Sequence, residues 1–226
     1  MHGLFVTATG TDCGKTWFSR GLVRALRVRG LSVAALKPLE TGVGPDGPRD
    51  ALALARAAGN AHLAHDDAFV RLGPPTSPFA AATASGLLPP SVDALADALR
   101  RRAAGHDVTL VEGAGGLLVP LDANATIAEL AASLGLPTVL VARDALGTLS
   151  HVLTAIESAE RRGLEVRAVV LTRGPWSRGD VSVETNAEIL RRRVSAPVLV
   201  MPSGQDDDDA LAALVDPWIE RLLPQR

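Results

Sequence analysis

The sequence predicts a doubly wound α/β protein, with a mostly parallel sheet and helices on both faces. Three observations carry that expectation. Short apolar runs rich in Val, Leu and Ala recur along the chain, segments of helical period separate them, and glycines stand between helix and strand where a left-handed cap is needed.

The first apolar run, Leu4 to Thr7, passes through a glycine-containing loop into a helical segment from Thr16 to Arg29, closed by Gly30. Ser32 to Leu36 reads as the second strand. The irregular stretches Gly42 to Arg49 and Gly73 to Pro78 suit loops over a site, and Arg49-Asp50-Ala51-Leu52 opens a helix after the first of them. A helix from Ser91 to Arg102 leads to a strand at Val108 to Val111. Thr126 to Leu134, capped by Gly135, precedes the strand Thr138 to Val141, and Thr148 to Arg162, capped by Gly163, precedes Val166 to Leu171. The helix Val183 to Arg193, the strand Pro197 to Val200 and the helix Asp208 to Leu223 complete the pattern, with Asp206 to Asp209 as a solvated loop and helix start. Neither a repeat nor an interdomain linker interrupts it, so residues 1–226 are expected to form a single domain.

At 226 residues, 47% hydrophobic, the chain is long enough to bury one substantial core, and a formal charge of -2 gives no field for nucleic acid or an anionic membrane. The single cysteine, Cys13, forms no internal disulfide. No basic segment followed by an apolar stretch and cleavage site opens the chain, and no apolar run approaches the roughly 18 residues of a membrane span, so a soluble cytoplasmic protein is expected. Of the 23 basic residues only Lys15 and Lys37 are lysine. A slim ammonium enters a crowded phosphate site where a broad guanidinium does not, which marks both for function.

Lys15 sits in Thr9-Gly10-Thr11-Asp12-Cys13-Gly14-Lys15-Thr16, between the first strand and its helix. Backbone amides and a helix N-terminus in that position hold phosphate oxygens, which makes the fold one of the P-loop NTPase type. Lys15 then neutralises the β and γ phosphates and the Thr16 hydroxyl ligates magnesium. The third strand runs into Glu112-Gly113-Ala114-Gly115-Gly116, where Glu112 suits a second magnesium ligand and the glycines keep side chains away from a ligand. Asp50 reads alone as an N-cap and, beside Thr16 and Glu112, as a third metal oxygen. Lys37 ends the second strand, at the sheet edge where open α/β folds bind ligands. His62, His65 and His106 show no metal-ligand spacing.

Four segments together, Val6 to Thr16, Lys37-Pro38-Leu39-Glu40-Thr41-Gly42, Val111 to Gly116, and Leu146-Gly147-Thr148-Leu149-Ser150-His151, resemble the dethiobiotin synthetase family in order and spacing. The resemblance implies a cyclo-ligase of biotin biosynthesis, joining carbon dioxide to 7,8-diaminopelargonate with ATP and magnesium. It also implies that Lys37 holds a carbamate, that Lys15 and Lys37 cluster with the metal, and that Thr11 and Thr41 bond the amine or carbamate. The nucleotide is expected against Asp12, Cys13, Gly14, Lys15, Thr16, Trp17, Asp50, Glu112, Gly113, Ala114 and Gly115, and against Thr172, Arg173, Pro202, Ser203 and Gly204 around the base. A homodimer is implied, with Leu146, Gly147, Thr148 and Ser150 of one subunit holding the substrate carboxylate of the other. The chain departs from the family pattern at Ala8, Asp12, Ser150 and Thr172-Arg173-Gly174, the last standing where many members carry Asn-Asp. On sequence alone two other readings stay open. One is a related ligase acting on another diamine or carboxylate, a type that a glutaminase domain normally accompanies. The other is a switch ATPase of the ParA or MinD kind, whose signature lysine would fall at Gly10.

Overall fold

Hydrophobic β-branched runs and amphipathic helices alternate through most of the structure, a computed structural model describing residues 1–89 and 91–223. The chain runs β1 (Gly3–Ala8), α1 (Lys15–Val28), β2 (Val33–Leu36), β3 (Leu39–Thr41), α2 (Arg49–Ala57), β4 (Val70–Leu72), α3 (Pro78–Ala84) and α4 (Val92–Ala103). It continues with β5 (Val108–Glu112), α5 (Ile127–Leu134), β6 (Thr138–Arg143), α6 (Thr148–Glu160), β7 (Val166–Thr172), α7 (Asn186–Arg193), β8 (Val198–Met201), α8 (Asp208–Val215) and α9 (Ile219–Leu222).

Six strands form one sheet in the order β2-β5-β1-β6-β7-β8, every neighbouring pair parallel. The chain reverses its direction of travel across the sheet at β1, whose neighbours β5 and β6 come much later in sequence. Such a switch point opens a crevice beyond the carboxyl ends of the strands. Alternate side chains of β1 enter opposite layers. Leu4 and Val6 pack with Phe18 and Leu22 of α1 and Leu211 of α8, whereas Phe5 packs with Leu95, Leu99, Ile127 and Leu130 on the other face. A third cluster joins Leu140 and Val169 to Val152, Ile156 and Leu190 beneath α6 and α7.

The expected strands are all present, and Gly30, Gly135 and Gly163 take positive φ of 83, 63 and 69 degrees as caps require. Three differences have local causes. A second, two-stranded parallel sheet pairs Leu39, Glu40 and Thr41 of β3 with Val70, Arg71 and Leu72 of β4, each strand too short to show a period. The expected helix from Asp208 to Leu223 breaks after Val215, because Pro217 removes an amide and forces a 3-10 turn before α9. The segment before α7 is a 3-10 turn, Val181–Glu184, so that helix starts at Asn186. Among the described residues no helix is long and apolar enough to cross a membrane.

α5, which follows the Glu112 loop, starts with a capping box: Glu129 accepts from the Thr126 backbone amide at 2.7 Å and hydroxyl at 2.5 Å, and Arg162 donates to its other oxygen at 2.8 Å. Burial pushes the Glu129 carboxyl up, but the Thr126 hydroxyl and Arg162 outweigh it and hold the group down at about 2. A depressed carboxyl contributes stability above its unfolded value and loses it as pH falls through the folded one. The Glu129→Gln variant is therefore expected to be less stable at pH 7 by about 1 kcal/mol, the size of a cap discounted for solvent screening. In urea titrations the difference should shrink from pH about 4.5 downward and vanish only below about pH 2.

Candidate functional site

Parallel strands deliver their carboxyl ends to one edge, and there the loop from Thr9 to Gly14 turns β1 into α1. Gly14 takes φ +84 degrees, and a β-carbon on it would lie 3.1 Å from the Thr172 methyl, so both conformation and space call for glycine. Asp12, φ +54 degrees, is the one non-glycine residue with positive φ among the described residues. Thr11, Asp12, Cys13, Gly14, Lys15, Thr16 and Trp17 line an open cavity of about 740 Å³ together with Lys37, Thr41, Asp50, Ala114 and Gly115. The Lys15 ammonium points back to the Gly10 carbonyl at 3.4 Å. Burial, and then the like charge of Lys37, lower its proton affinity below that of an ordinary lysine.

Behind the residues that line the cavity stands Glu112, fully buried at the end of β5. Its Oε1 accepts from the Thr16 hydroxyl at 2.7 Å and from Lys37 Nζ at 2.6 Å, and Lys37 also lies 3.3 Å from Asp50 Oδ2. Burial opposes the charge on Lys37, but Glu112 and then Asp50 more than compensate, holding its pKa above the ordinary lysine value. Among the described residues Glu112 Oε2 finds no hydrogen-bond partner, an omission worth about 1–3 kcal/mol in a buried group. A buried carboxylate with one oxygen on the Thr16 hydroxyl and the other without a partner offers oxygen donors of the kind a hard divalent cation such as magnesium prefers. Of the three expected metal ligands, Thr16 touches Glu112 directly, whereas Asp50 is linked to Glu112 through Lys37.

Asp50 is not the N-cap of α2; Pro48 holds that place, and Asp50 lies in the first turn. The cap comes from β3 instead. Glu40, only 8% exposed, accepts the Asp50 amide on one carboxylate oxygen and the Ala51 amide on the other, both at 2.9 Å. A carboxylate at a helix N-terminus satisfies orphan amides and complements the dipole, and here it fixes the turn that carries Asp50. Nothing local in the sequence shows this, because Glu40 is ten residues away on another element.

The glycine run does two jobs. Ala114 and Gly115 line the cavity, but Gly113 does not: a β-carbon there would lie 3.0 Å from Ile127 and 3.3 Å from the Phe5 ring, so it is a packing glycine. A β-carbon on Gly116 would lie 3.2 Å from both the Gly10 amide nitrogen and the Ala8 carbonyl oxygen, so this glycine lets the run lie close against the phosphate loop. Of the two loops expected over the site, Gly73 to Pro78 contributes Pro75, Thr76, Ser77 and Pro78 to the cavity wall, whereas Gly42 to Arg49 folds on itself through a 3.0 Å bond from the Gly47 amide to the Gly44 carbonyl.

A second pocket of about 390 Å³ opens beside Gly14 and Trp17, lined also by Arg173, Pro175, Trp176, Arg178, Ser203 and Gly204. Thr172 is absent from it. That side chain is fully buried, and its hydroxyl donates to the Cys13 carbonyl at 2.8 Å, so it braces the phosphate loop and does not read a base. Arg173 reaches the pocket with its guanidinium paired to the buried Asp144 at 2.9 Å, and Pro202 lies outside the lining. Trp176, unmarked in the sequence reading, forms part of both cavities. Leu146, Gly147, Thr148 and Ser150 do not join the phosphate loop of their own chain; they begin α6, with Leu146 84% exposed and the Thr148 side chain buried.

Replacing Glu40 by Gln keeps one acceptor and loses the bidentate, charged cap. The expected result is a loss of roughly 1–2 kcal/mol in chemical denaturation together with weaker magnesium-dependent nucleotide binding in calorimetry.

Residues 2–201 match the family described as an AAA domain. The chain is 44% identical over 204 residues to the ATP-dependent dethiobiotin synthetase BioD of Anaeromyxobacter dehalogenans, covering 89% of this chain and 90% of that one. It is 43% identical over 176 residues to the protein of the same name from Caulobacter vibrioides, covering 76% and 80%. Among solved structures, the cell division ATPase MinD of Pyrococcus furiosus aligns over 98% of this chain and all of its own with a TM-score of 0.57 at 16% identity, a likeness of fold alone. Sequence identity of 44% sustained across most of both chains places this protein in the ATP-dependent dethiobiotin synthetase family.

Proposed function

We propose that the chain joins carbon dioxide to 7,8-diaminopelargonate at the expense of ATP, closing the ureido ring of dethiobiotin and releasing ADP and phosphate in the cytoplasm. The observation that carries this reading is the buried Lys37, kept cationic by Glu112 and Asp50, at the mouth of a phosphate loop in a chain of this family.

One substrate amine adds to carbon dioxide, forming the N–C bond of a carbamate and giving up a proton. A carbamate oxygen attacks the γ-phosphorus, ADP departs, and a carbamic-phosphoric anhydride results. The second amine attacks its carbonyl carbon, loses a proton and expels phosphate as the ring closes. Two anions must meet in the second step, so positive charge fixed beforehand is what the site has to supply. Lys15 would neutralise the triphosphate and Lys37 the carbamate. An ammonium whose proton affinity is raised by its carboxylate partners stays charged at neutral pH, which suits a holder of anions and not a base. Thr11 and Thr41, both on the cavity wall, would hydrogen-bond the amine or carbamate. Magnesium would be held by Thr16, Asp50 and Glu112 and would offset charge on the transferring phosphoryl group.

The base would lie in the pocket between Trp17 and Trp176, against aromatic and proline faces with Ser203 and Gly204 at the edge. The amide reading implied by an Asn-Asp pair is replaced here by Thr172-Arg173, in which the Thr172 hydroxyl and Arg173 Nε and Nη2 are bonded inside the protein.

A homodimer completes the proposed site. Gly147, φ +92 degrees, starts α6 with no side-chain cap, an N-terminus suited to a carboxylate. Leu146 and Leu118 expose apolar surface, 84% and 47%, beside it and on the Gly116 loop. Leu146, Gly147, Thr148 and Ser150 of the partner subunit would hold the substrate carboxylate.

With magnesium, bicarbonate and ATP, phosphate release should require the diamine and match incorporation of labelled carbon dioxide into an acid-stable product. Lys37→Ala should cut that turnover by at least about a hundredfold with ADP affinity little changed; near-normal turnover defeats the assignment. Leu146→Glu should shift the protein toward monomer in sedimentation and raise KM for the diamine by about tenfold or more, and an unchanged dimer with unchanged KM counts against the shared site.

A further inference from the structure

Three successive carbonyls of the phosphate loop, those of Thr11, Asp12 and Cys13, are bonded by side chains from the ends of β6 and β7. Arg143 Nε donates to the Asp12 carbonyl at 2.9 Å, and its Nη2 reaches the Thr11 carbonyl at 3.5 Å. Thr172 Oγ1 donates to the Cys13 carbonyl at 2.8 Å. The two donors are themselves tied together. Arg143 and Thr172 are register partners across β6 and β7, the Arg143 guanidinium lies 5.0 Å from the centre of the Trp176 ring, and the Trp176 indole N–H donates to the Thr172 carbonyl at 3.1 Å.

In a trans peptide the carbonyl of one residue and the N–H of the next point in opposite directions. Drawing the Thr11, Asp12 and Cys13 carbonyls toward β6 and β7 therefore turns the N–H groups of Asp12, Cys13 and Gly14 the other way, toward the cavity those residues line. The turn needs holding. Asp12 sits at φ +54 degrees, a conformation that costs a non-glycine residue of order 1 kcal/mol and relaxes unless its surroundings keep it.

We propose that Arg143 is a positioning residue for the reaction: with Thr172 it fixes the peptide planes of the phosphate loop, so that affinity for phosphate groups depends on a side chain acting from behind the loop. The inference rests on the ATP-binding reading of the loop and not on the identity of the diamine. It also separates Arg143 from Lys15. Lys15 acts by its charge, whereas Arg143 acts by hydrogen bonds to backbone carbonyls, chiefly from Nε to that of Asp12.

Glutamine carries its amide nitrogen at the same number of bonds from the backbone as arginine Nε, and it has no charge. Methionine has a similar length and no donor. The test is calorimetric binding of magnesium ADP, inorganic pyrophosphate and adenosine to the wild type, Arg143→Gln, Arg143→Met and Thr172→Val, with thermal melting to confirm that each is folded. The expected result is that Arg143→Met weakens ADP and pyrophosphate by roughly tenfold, that adenosine binding is unchanged in every variant, and that Arg143→Gln stays within about threefold of wild type. Thr172→Val should reproduce the phosphate-selective loss, which keeps the test open if Arg143→Met does not fold. Equal losses in Arg143→Gln and Arg143→Met would overturn the proposal, because they would make Arg143 a long-range charge. So would unchanged ADP affinity in Arg143→Met or in Thr172→Val. Parallel weakening of adenosine would also overturn it, since the residue would then shape the base pocket.

Discussion

Burying a carboxylate with 0% exposure sets the terms for everything around Glu112. Such a charge costs several kcal/mol unless hydrogen-bonded cations or donors compensate it. The compensation comes from Thr16 at the start of α1 and Lys37 beyond the end of β2, so one oxygen atom pins three elements that lie far apart in sequence. Removing either partner strands a buried charge, and the cost of that exceeds what the pair contributes when intact. The interaction is therefore stronger as a constraint on geometry than as a source of stability.

Around that centre the loop geometry is imposed from outside. Glu40 reaches from the small sheet to the first turn of α2 and thereby sets Asp50 beside Lys37. Thr172 supports the phosphate loop from β7, and Gly116 allows the Glu112 loop to pass against the Gly10 amide. Each support is a polar or steric contact between segments whose ends the parallel sheet has already brought to one edge.

The large sheet, its helices and the phosphate loop were legible because their signals are local: a period, a cap or a motif within some dozen residues. Lys15 and Lys37 stood out by rarity, and the structure brings both to one cavity with Thr16, Asp50 and Thr41. The rest depended on meetings in space. Glu40 caps a helix ten residues on, and the strands of the two-stranded sheet are three residues each, below the length at which alternation is distinguishable from chance. Gly113 and Gly115 look equivalent in sequence and serve packing and cavity respectively. Thr172 carries a polar group whose target, the Cys13 carbonyl, lies 159 positions away.

The distribution of lysine has a practical corollary. Both lysine side chains are buried in the cavity, Lys15 at 7% and Lys37 at 5% exposure, and every other basic side chain is a guanidinium or imidazole. The outer surface thus offers no lysine to acylating reagents, cross-linkers or amine-coupled supports. A modification that does reach a lysine has entered the cavity, so the extent of lysine acylation would serve as a direct gauge of how open that cavity is, and a bound nucleotide would register as protection.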